Sequence, residues 1–146
     1  MKQNLVLEKA ETFAIRIVRL YNFLCSEKKE YVLSKQIVRS GTSVGANINE
    51  STCAISDKDF LSKLYIALKE AAETLYWLRL LHNTGYLDDK QFQSLYSDCE
   101  ELKKLLQSIT KTLKEKAEKQ KIWIRKSEPE TKNSKFQIPN SKFKKG

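Results

Sequence analysis

The sequence predicts an all-α protein, an antiparallel four-helix bundle with up-down-up-down topology. Apolar residues recur at alternating steps of three and four in four successive segments, which is the spacing of one helical face. The 146 residues include 4 glycines and 2 prolines, and both prolines lie near the C-terminal end. Residues that break helices are therefore rare in the part of the chain before the two prolines. Short connections between the segments favour antiparallel neighbours.

The first two predicted helices differ in the size of their apolar residues. The first has its apolar positions at Val6, Ala10, Phe13, Ile17, Leu20 and Leu24. The second has Leu33, Ile37, Ser40, Val44 and Ile48, with small residues where the other helices have large ones. Gly41 and Gly45 lie in its interior, where two glycines together cost ~2 kcal/mol relative to alanine. Close packing of another backbone would offset that loss.

A polar stripe runs beside the apolar face of the second helix, at Gln36, Arg39, Ser43, Asn47 and Glu50. One interpretation is a polar network that ties this helix to a neighbouring one. The alternative is a ligand site or a contact between subunits.

The third and fourth predicted helices keep a strict heptad step, typical of coiled-coil-like packing. Their apolar positions are Leu61, Leu64, Leu68, Ala71, Leu75 and Leu78, then Phe92, Leu95, Cys99, Leu102, Leu106, Ile109 and Leu113. The third helix also carries Ile66, Trp77 and Leu80 away from this face. A large exposed apolar patch usually marks an interface, so these three residues predict contact between subunits. Glu70 and Glu73 are expected on a solvated face.

Three sequence signals mark the helix ends. Ser56 with Asp59 predicts a cap at the start of the third helix. Gly85 suits the left-handed position that ends it. Asp88 with Gln91 predicts a capping box for the fourth.

The net charge of +9 is concentrated at the C-terminal end. Residues 1–118 carry 18 Lys and Arg against 16 Asp and Glu, whereas residues 119–146 carry 9 against 2. We therefore predict a bundle over 1–118 and a basic, disordered tail over 119–146. The tail repeats NSKF at 133–136 and 140–143. It is either an inert repetitive extension or an arm that binds nucleic acid.

Composition favours a cytoplasmic protein without a membrane segment. No apolar signal-peptide core opens the chain, and no apolar run approaches the ~20 residues of a membrane span. The three cysteines, Cys25, Cys53 and Cys99, form no CxxC and no even set, so a disulfide framework is not expected.

No catalytic or metal-binding signature is present in the sequence. A di-iron bundle needs two Glu-x-x-His motifs, and the chain has 1 histidine, His82. A zinc site is not expected either, because the three cysteines and the one histidine are scattered along the chain. A Cys25–His82 dyad is the remaining catalytic arrangement, since both residues belong to one end of the bundle, but a free thiol is more often a small apolar residue. We expect no enzyme activity, catalytic residue, metal or cofactor.

The segment QIVRSGTSVGANINES resembles the second-helix signature of the four-helix-bundle family encoded in bacterial 23S rRNA intervening sequences. The matching residues are Gln36, Arg39, Ser43, Val44, Asn47, Ile48 and Glu50. The resemblance covers roughly residues 8–116, with a departure at Lys69–Glu70, where many members have Gly-Ser. It implies a four-helix bundle, typically a homopentamer, with no established enzymatic activity. Relatives include the accessory variability determinant of retroelements, which binds nucleic acid and a reverse transcriptase.

Two function classes follow. The first is an oligomeric accessory protein that binds RNA or DNA electrostatically without strong sequence preference. Its candidate residues are Lys9, Arg16, Arg19, Lys104, Lys111, Lys121, Arg125 and Lys126. The second is a protein–protein scaffold, on whose assembled bundle a reverse transcriptase or another protein docks.

Overall fold

A computed structural model describes residues 2–129, with side chains from Leu5 onward. Over these residues the chain forms α1 (Lys2–Ser26), α2 (Leu33–Ser51), α3 (Asp57–Asn83) and α4 (Asp89–Ser127). Regular structure within this range is entirely helical, which confirms the predicted all-α class. None of these helices is both long and apolar enough to span a membrane.

The chain divides into two units, Met1–Lys114 and Glu115–Gly146. The second unit begins within α4, which continues to Ser127. Residues 119–127 were predicted to be disordered, but they are helical. No glycine or proline interrupts α4 before its end at Ser127, so the helix continues through them. The NSKF repeats lie outside the described residues. The division into a bundle over 1–118 and a tail stays a prediction.

Side-chain pairs between α1 and α4 show that these helices run antiparallel. Lys9 pairs with Glu101, and Arg16, farther along α1, pairs with Asp98, which is earlier in α4. The contacts between α3 and α4 also show antiparallel helices. Cys99 Sγ donates to the Ala71 carbonyl, whereas His82, later in α3, stacks on Phe92, which is earlier in α4. The predicted antiparallel four-helix bundle is confirmed.

The core consists of the predicted apolar faces. In α1 all six predicted residues are buried, from Val6 to Leu24. The heptad positions of α4 are buried from Leu95 to Ile109, while Phe92 and Leu113 at the two ends are half-buried. The heptad period predicts the core of α3 less well, because Leu61 and Leu68 are half-buried whereas Ala67, Thr74 and Leu81, which it omits, are buried.

The glycines of α2 allow close contact with α1. A Cβ added at Gly41 would lie 2.8 Å from Ile17 Cγ2, and one at Gly45 would lie 3.5 Å from the Ala10 carbonyl oxygen. The small residues therefore serve packing within the chain. This contact compensates for the low helix propensity of glycine.

The helix ends follow the predicted signals. Ser56 Oγ accepts from the Asp59 backbone N–H at 3.0 Å. Gly85 has φ of 87°, and the Tyr86 N–H donates to the Leu81 carbonyl at 2.9 Å, which completes a Schellman motif. At the start of α4, Gln91 N–H donates to Asp88 Oδ1 at 2.7 Å and Asp88 N–H donates to Gln91 Oε1 at 3.0 Å.

The start of α2 is capped by Glu30, a residue that was not among the predicted helix caps. Its carboxylate accepts from the backbone N–H groups of Val32, Leu33 and Ser34 at 3.0, 2.8 and 2.7 Å. Glu30 is 8% exposed. Burial favours the protonated carboxyl, but the three N–H donors outweigh it and hold the pKa of Glu30 below its usual value.

Candidate functional site

Two residues of the polar stripe of α2, Arg39 and Glu50, pair with α3. Arg39 donates from Nη2 to Glu73 and from Nη1 to Glu70 Oε2, the latter at 3.4 Å. Glu50 pairs with Lys63 Nζ at 3.0 Å and raises the pKa of that lysine through its hydrogen bond and charge. The first interpretation of the stripe, a tie between neighbouring helices, is therefore observed at Arg39 and Glu50.

The other motif residues act within α2. Ser43 Oγ donates to the Arg39 carbonyl at 2.6 Å, and Asn47 Nδ2 donates to the Ser43 carbonyl at 2.8 Å. Gln36 is exposed. Within the described part of the chain, the side chains of these three residues form no hydrogen bond to α3. Their role as contacts between subunits stays a prediction.

A buried hydrogen bond lies beneath this stripe. Thr74 Oγ1 donates to Ser40 Oγ at 2.9 Å, and both residues are fully buried. Ser40 occupies an apolar-face position of α2. Its hydroxyl is satisfied across the α2–α3 contact, so the polar atom is accommodated in the core.

Glu73 binds one residue of the polar stripe of α2 and one residue of the predicted subunit interface. Its carboxylate accepts from Arg39 of the α2 motif and from Trp77 Nε1 at 3.3 Å on α3. Glu73 and Glu70, which were expected on a solvated face, have side chains that are 38% and 21% exposed, and both carboxylates bind Arg39. Glu70 gives Arg39 a second carboxylate partner.

The predicted subunit contact is uneven in exposure. Ile66 is 38% exposed, while Trp77 and Leu80 are half-buried, and Trp77 packs against the core. Tyr76, which meets the Trp77 ring edge-on at 5.0 Å between centroids, is 48% exposed. Ile66 and Tyr76 are therefore the exposed large apolar residues of α3, and the role of Ile66, Trp77 and Leu80 as a subunit interface stays a prediction.

Two of the bundle cations predicted to bind nucleic acid have acidic partners on α4. Lys9 Nζ lies 2.8 Å from Glu101, whose hydrogen bond and charge raise the pKa of the lysine. Arg16 binds Asp98 and donates to Ser94 Oγ at 2.8 Å. A phosphate would compete with these carboxylates at both positions.

Arg19, Lys104 and Lys111 are exposed and take part in no ion pair within residues 5–129. Arg19 is on α1, whereas Lys104 and Lys111 are seven residues apart on α4, which places them on one helical face. They remain available to an anionic partner.

The C-terminal part of α4 is the most basic described segment. Lys121, Arg125 and Lys126 are exposed, and no side chain up to residue 129 forms an ion pair with them. In the sequence they flank a run of three exposed apolar residues, Ile122, Trp123 and Ile124, which are 49%, 68% and 45% exposed. The two isoleucines were not among the predicted site residues. Their signal is a run of three apolar residues within a basic segment.

Cys25 and His82, the two members of the possible dyad, contact different residues. Cys25 donates to Ser34 Oγ at 3.7 Å, while His82 contacts Asp89 Oδ1 at 2.7 Å and stacks on Phe92. Cys99 lies in the core as predicted, and burial raises the pKa of its thiol to about 12. Within the described residues, no group of three His, Cys, Asp or Glu side chains is arranged to hold a metal ion.

Comparison with known proteins agrees with the fold and the motif. The family described as "23S rRNA-intervening sequence protein" matches residues 2–108. A search of curated proteins gives no match. The chain is similar to a solved protein of unknown function from the S23 ribosomal protein family of Bacteroides thetaiotaomicron VPI-5482. The identity is 57%, the TM-score is 0.75, and the match covers 76% of this chain and 99% of that one. The chain therefore belongs to the 23S rRNA-intervening sequence protein family.

Proposed function

We propose that the protein is a non-catalytic, oligomeric accessory protein that binds RNA or DNA without strong sequence preference, through the C-terminal part of α4. The observation that supports this most is the exposure of Lys121, Arg125 and Lys126 together, without an acidic partner in the described structure. Lys9 and Arg16, by contrast, already bind carboxylates.

The physical basis is counterion release. Each phosphate neutralised by a lysine or arginine releases condensed cations, so the affinity falls with salt by ~0.7–0.9 in log K per log unit of salt and per phosphate. Phosphate contacts carry no direct sequence information. Residues 119–146 carry 9 Lys and Arg against 2 Asp and Glu, and an oligomer would multiply that charge.

The second candidate is a protein–protein scaffold. It is favoured by the apolar surface of α3, where Ile66 and Tyr76 are 38% and 48% exposed. In this case another protein docks on the assembled bundle and the basic segment is incidental. The two functions differ in which surface must be intact.

The test compares two charge-matched variants of the full chain. One carries Lys121→Gln, Arg125→Gln and Lys126→Gln. The control carries Lys58→Gln, Lys69→Gln and Lys90→Gln, which neutralises three exposed cations elsewhere. Affinity for a labelled RNA oligonucleotide and for DNA of the same sequence is measured by fluorescence anisotropy across a salt series.

We expect the first variant to bind more weakly and its salt slope to fall by up to about 2–3, one step of ~0.7–0.9 for each lost phosphate contact. The control variant should lose less affinity, and its salt slope should fall less. Equal losses in the two variants would show that only total charge matters. If the unaltered protein binds neither RNA nor DNA at low salt, the nucleic-acid function is wrong and the scaffold is favoured.

A further inference from the structure

Trp123 is the most exposed aromatic side chain among the described residues. It is 68% exposed, more than Tyr31 at 53% and Tyr76 at 48%. An indole buries a large apolar area when it finds a partner, so tryptophan is enriched where a protein binds something. Its neighbours Ile122 and Ile124 are also about half exposed, at 49% and 45%.

The helix places a cation on either side of this ring. Residues three and four apart lie on one helical face, so Lys119 and Lys126 flank Trp123 at i−4 and i+3. At 1.5 Å per residue, they lie ~6 Å and ~4.5 Å away along the helix axis. Both lysines are exposed, and no ion pair engages either of them in the part of the chain that the structure describes.

We infer that Lys119, Trp123 and Lys126 form a binding site for the unpaired bases of single-stranded nucleic acid. A base stacks on the indole face while the adjoining phosphates bind the two lysines. Stacking on an aromatic side chain is tolerant of sequence because every base has a π face. A duplex hides those faces inside its stack and offers only base edges and phosphates. This inference rests on the proposed function and specifies its substrate.

Charge complementarity favours this occupant over a second copy of the helix. Between residues 119 and 127 the segment carries Lys119, Lys121, Arg125 and Lys126 and no acidic residue. Two such segments would repel each other, whereas a polyanion with exposed aromatic bases matches both the charge and the ring. An anionic membrane surface matches the charge and the apolar residues but offers no aromatic face.

The test compares a single-stranded RNA with a blunt duplex of the same sequence, using the full chain and two variants. Trp123→Phe keeps a π face, while Trp123→Leu keeps apolar volume alone. We expect tighter binding to the single strand. Trp123→Leu should weaken that binding by about 5- to 140-fold, the range that corresponds to loss of one stacked base. Trp123→Phe should lose much less affinity for the single strand. The affinity for the duplex should change little in either variant.

A direct readout is the emission of Trp123, recorded in a Trp77→Phe variant that leaves it as the chain's remaining tryptophan. Stacking should change this emission on addition of single strands and not on addition of duplex. Equal effects of the leucine and phenylalanine variants, or tighter binding to duplex, would overturn the inference. The charge-neutralised variant still tests the proposed function in that case. Binding to anionic vesicles that depends on Trp123, without RNA binding, would overturn both and identify a membrane surface as the occupant.

Discussion

At the level of single residues, Glu30 shows how one carboxylate can replace a conventional helix cap. Val32 occupies the N-cap position of α2 and offers no side-chain acceptor. Glu30, two residues earlier, accepts from three successive backbone N–H groups instead. The positive end of the helix dipole adds to these bonds, because a negative charge near a helix N-terminus is stabilising.

Glu30→Gln should lower the free energy of unfolding by about 1–2 kcal/mol at neutral pH, the usual loss at a helix N-cap. The pKa of Glu30 is lowered in the folded protein, so its contribution is present above the unfolded pKa and is lost as the pH falls through the folded pKa. Thermal melts from neutral to acidic pH should therefore show the two proteins converging in acid. Glu27→Gln, an exposed neighbour, is the control. A constant difference at every pH would contradict the charge-based cap.

At the level of elements, α2 contacts its two neighbours by different means. Its glycine side packs directly on α1, with Gly41 close to Ile17. Its polar side reaches α3 through Arg39, whose side chain is 49% exposed. Half-exposed ion pairs contribute little, because water screens them and long side chains lose freedom. Packing against α1 therefore stabilises α2 more than its polar motif does.

A double-mutant cycle of Arg39→Ala and Glu73→Gln measures the polar contact. Glutamine keeps an acceptor for Trp77 and removes only the charge. We expect a coupling of about 0.2–1 kcal/mol in urea unfolding, decreasing with added salt. The Glu50–Lys63 pair serves as the comparison. If Arg39→Ala leaves stability unchanged and alters the oligomeric mass instead, the motif acts between subunits.

Local signals in the sequence predicted more than contacts between distant segments. Asp88 and Gln91 are three residues apart, so their reciprocal cap follows from the sequence alone. The binding of Arg39 to Glu73 was missed, because it depends on how α2 and α3 align, and both glutamates simply fall off the heptad face. Asp98 and Glu101 were missed as partners of Arg16 and Lys9 for the same reason. Periodicity identifies a buried face, but it does not give the register between two helices.

At the level of the whole molecule, we expect a homo-oligomer, with the pentamer implied by the family resemblance. Ile66→Lys should lower the mass measured by light scattering at micromolar concentration, because it places a charge in the apolar surface of α3. Ile55→Lys is the matched control, since Ile55 is 94% exposed at the α2–α3 connection. A monomer mass for the unaltered protein throughout a dilution series would reject the oligomer.

The contact between Gly41 and Ile17 also limits how this helix pair can change during evolution. A methyl group at position 41 would lie 2.8 Å from Cγ2 and 2.9 Å from Cγ1 of Ile17, and a β-branched side chain has few rotamers with which to withdraw. Substitutions at residues in contact are not independent. Positions 17 and 41 should therefore covary among relatives, with alanine at 41 accompanied by a smaller residue at 17.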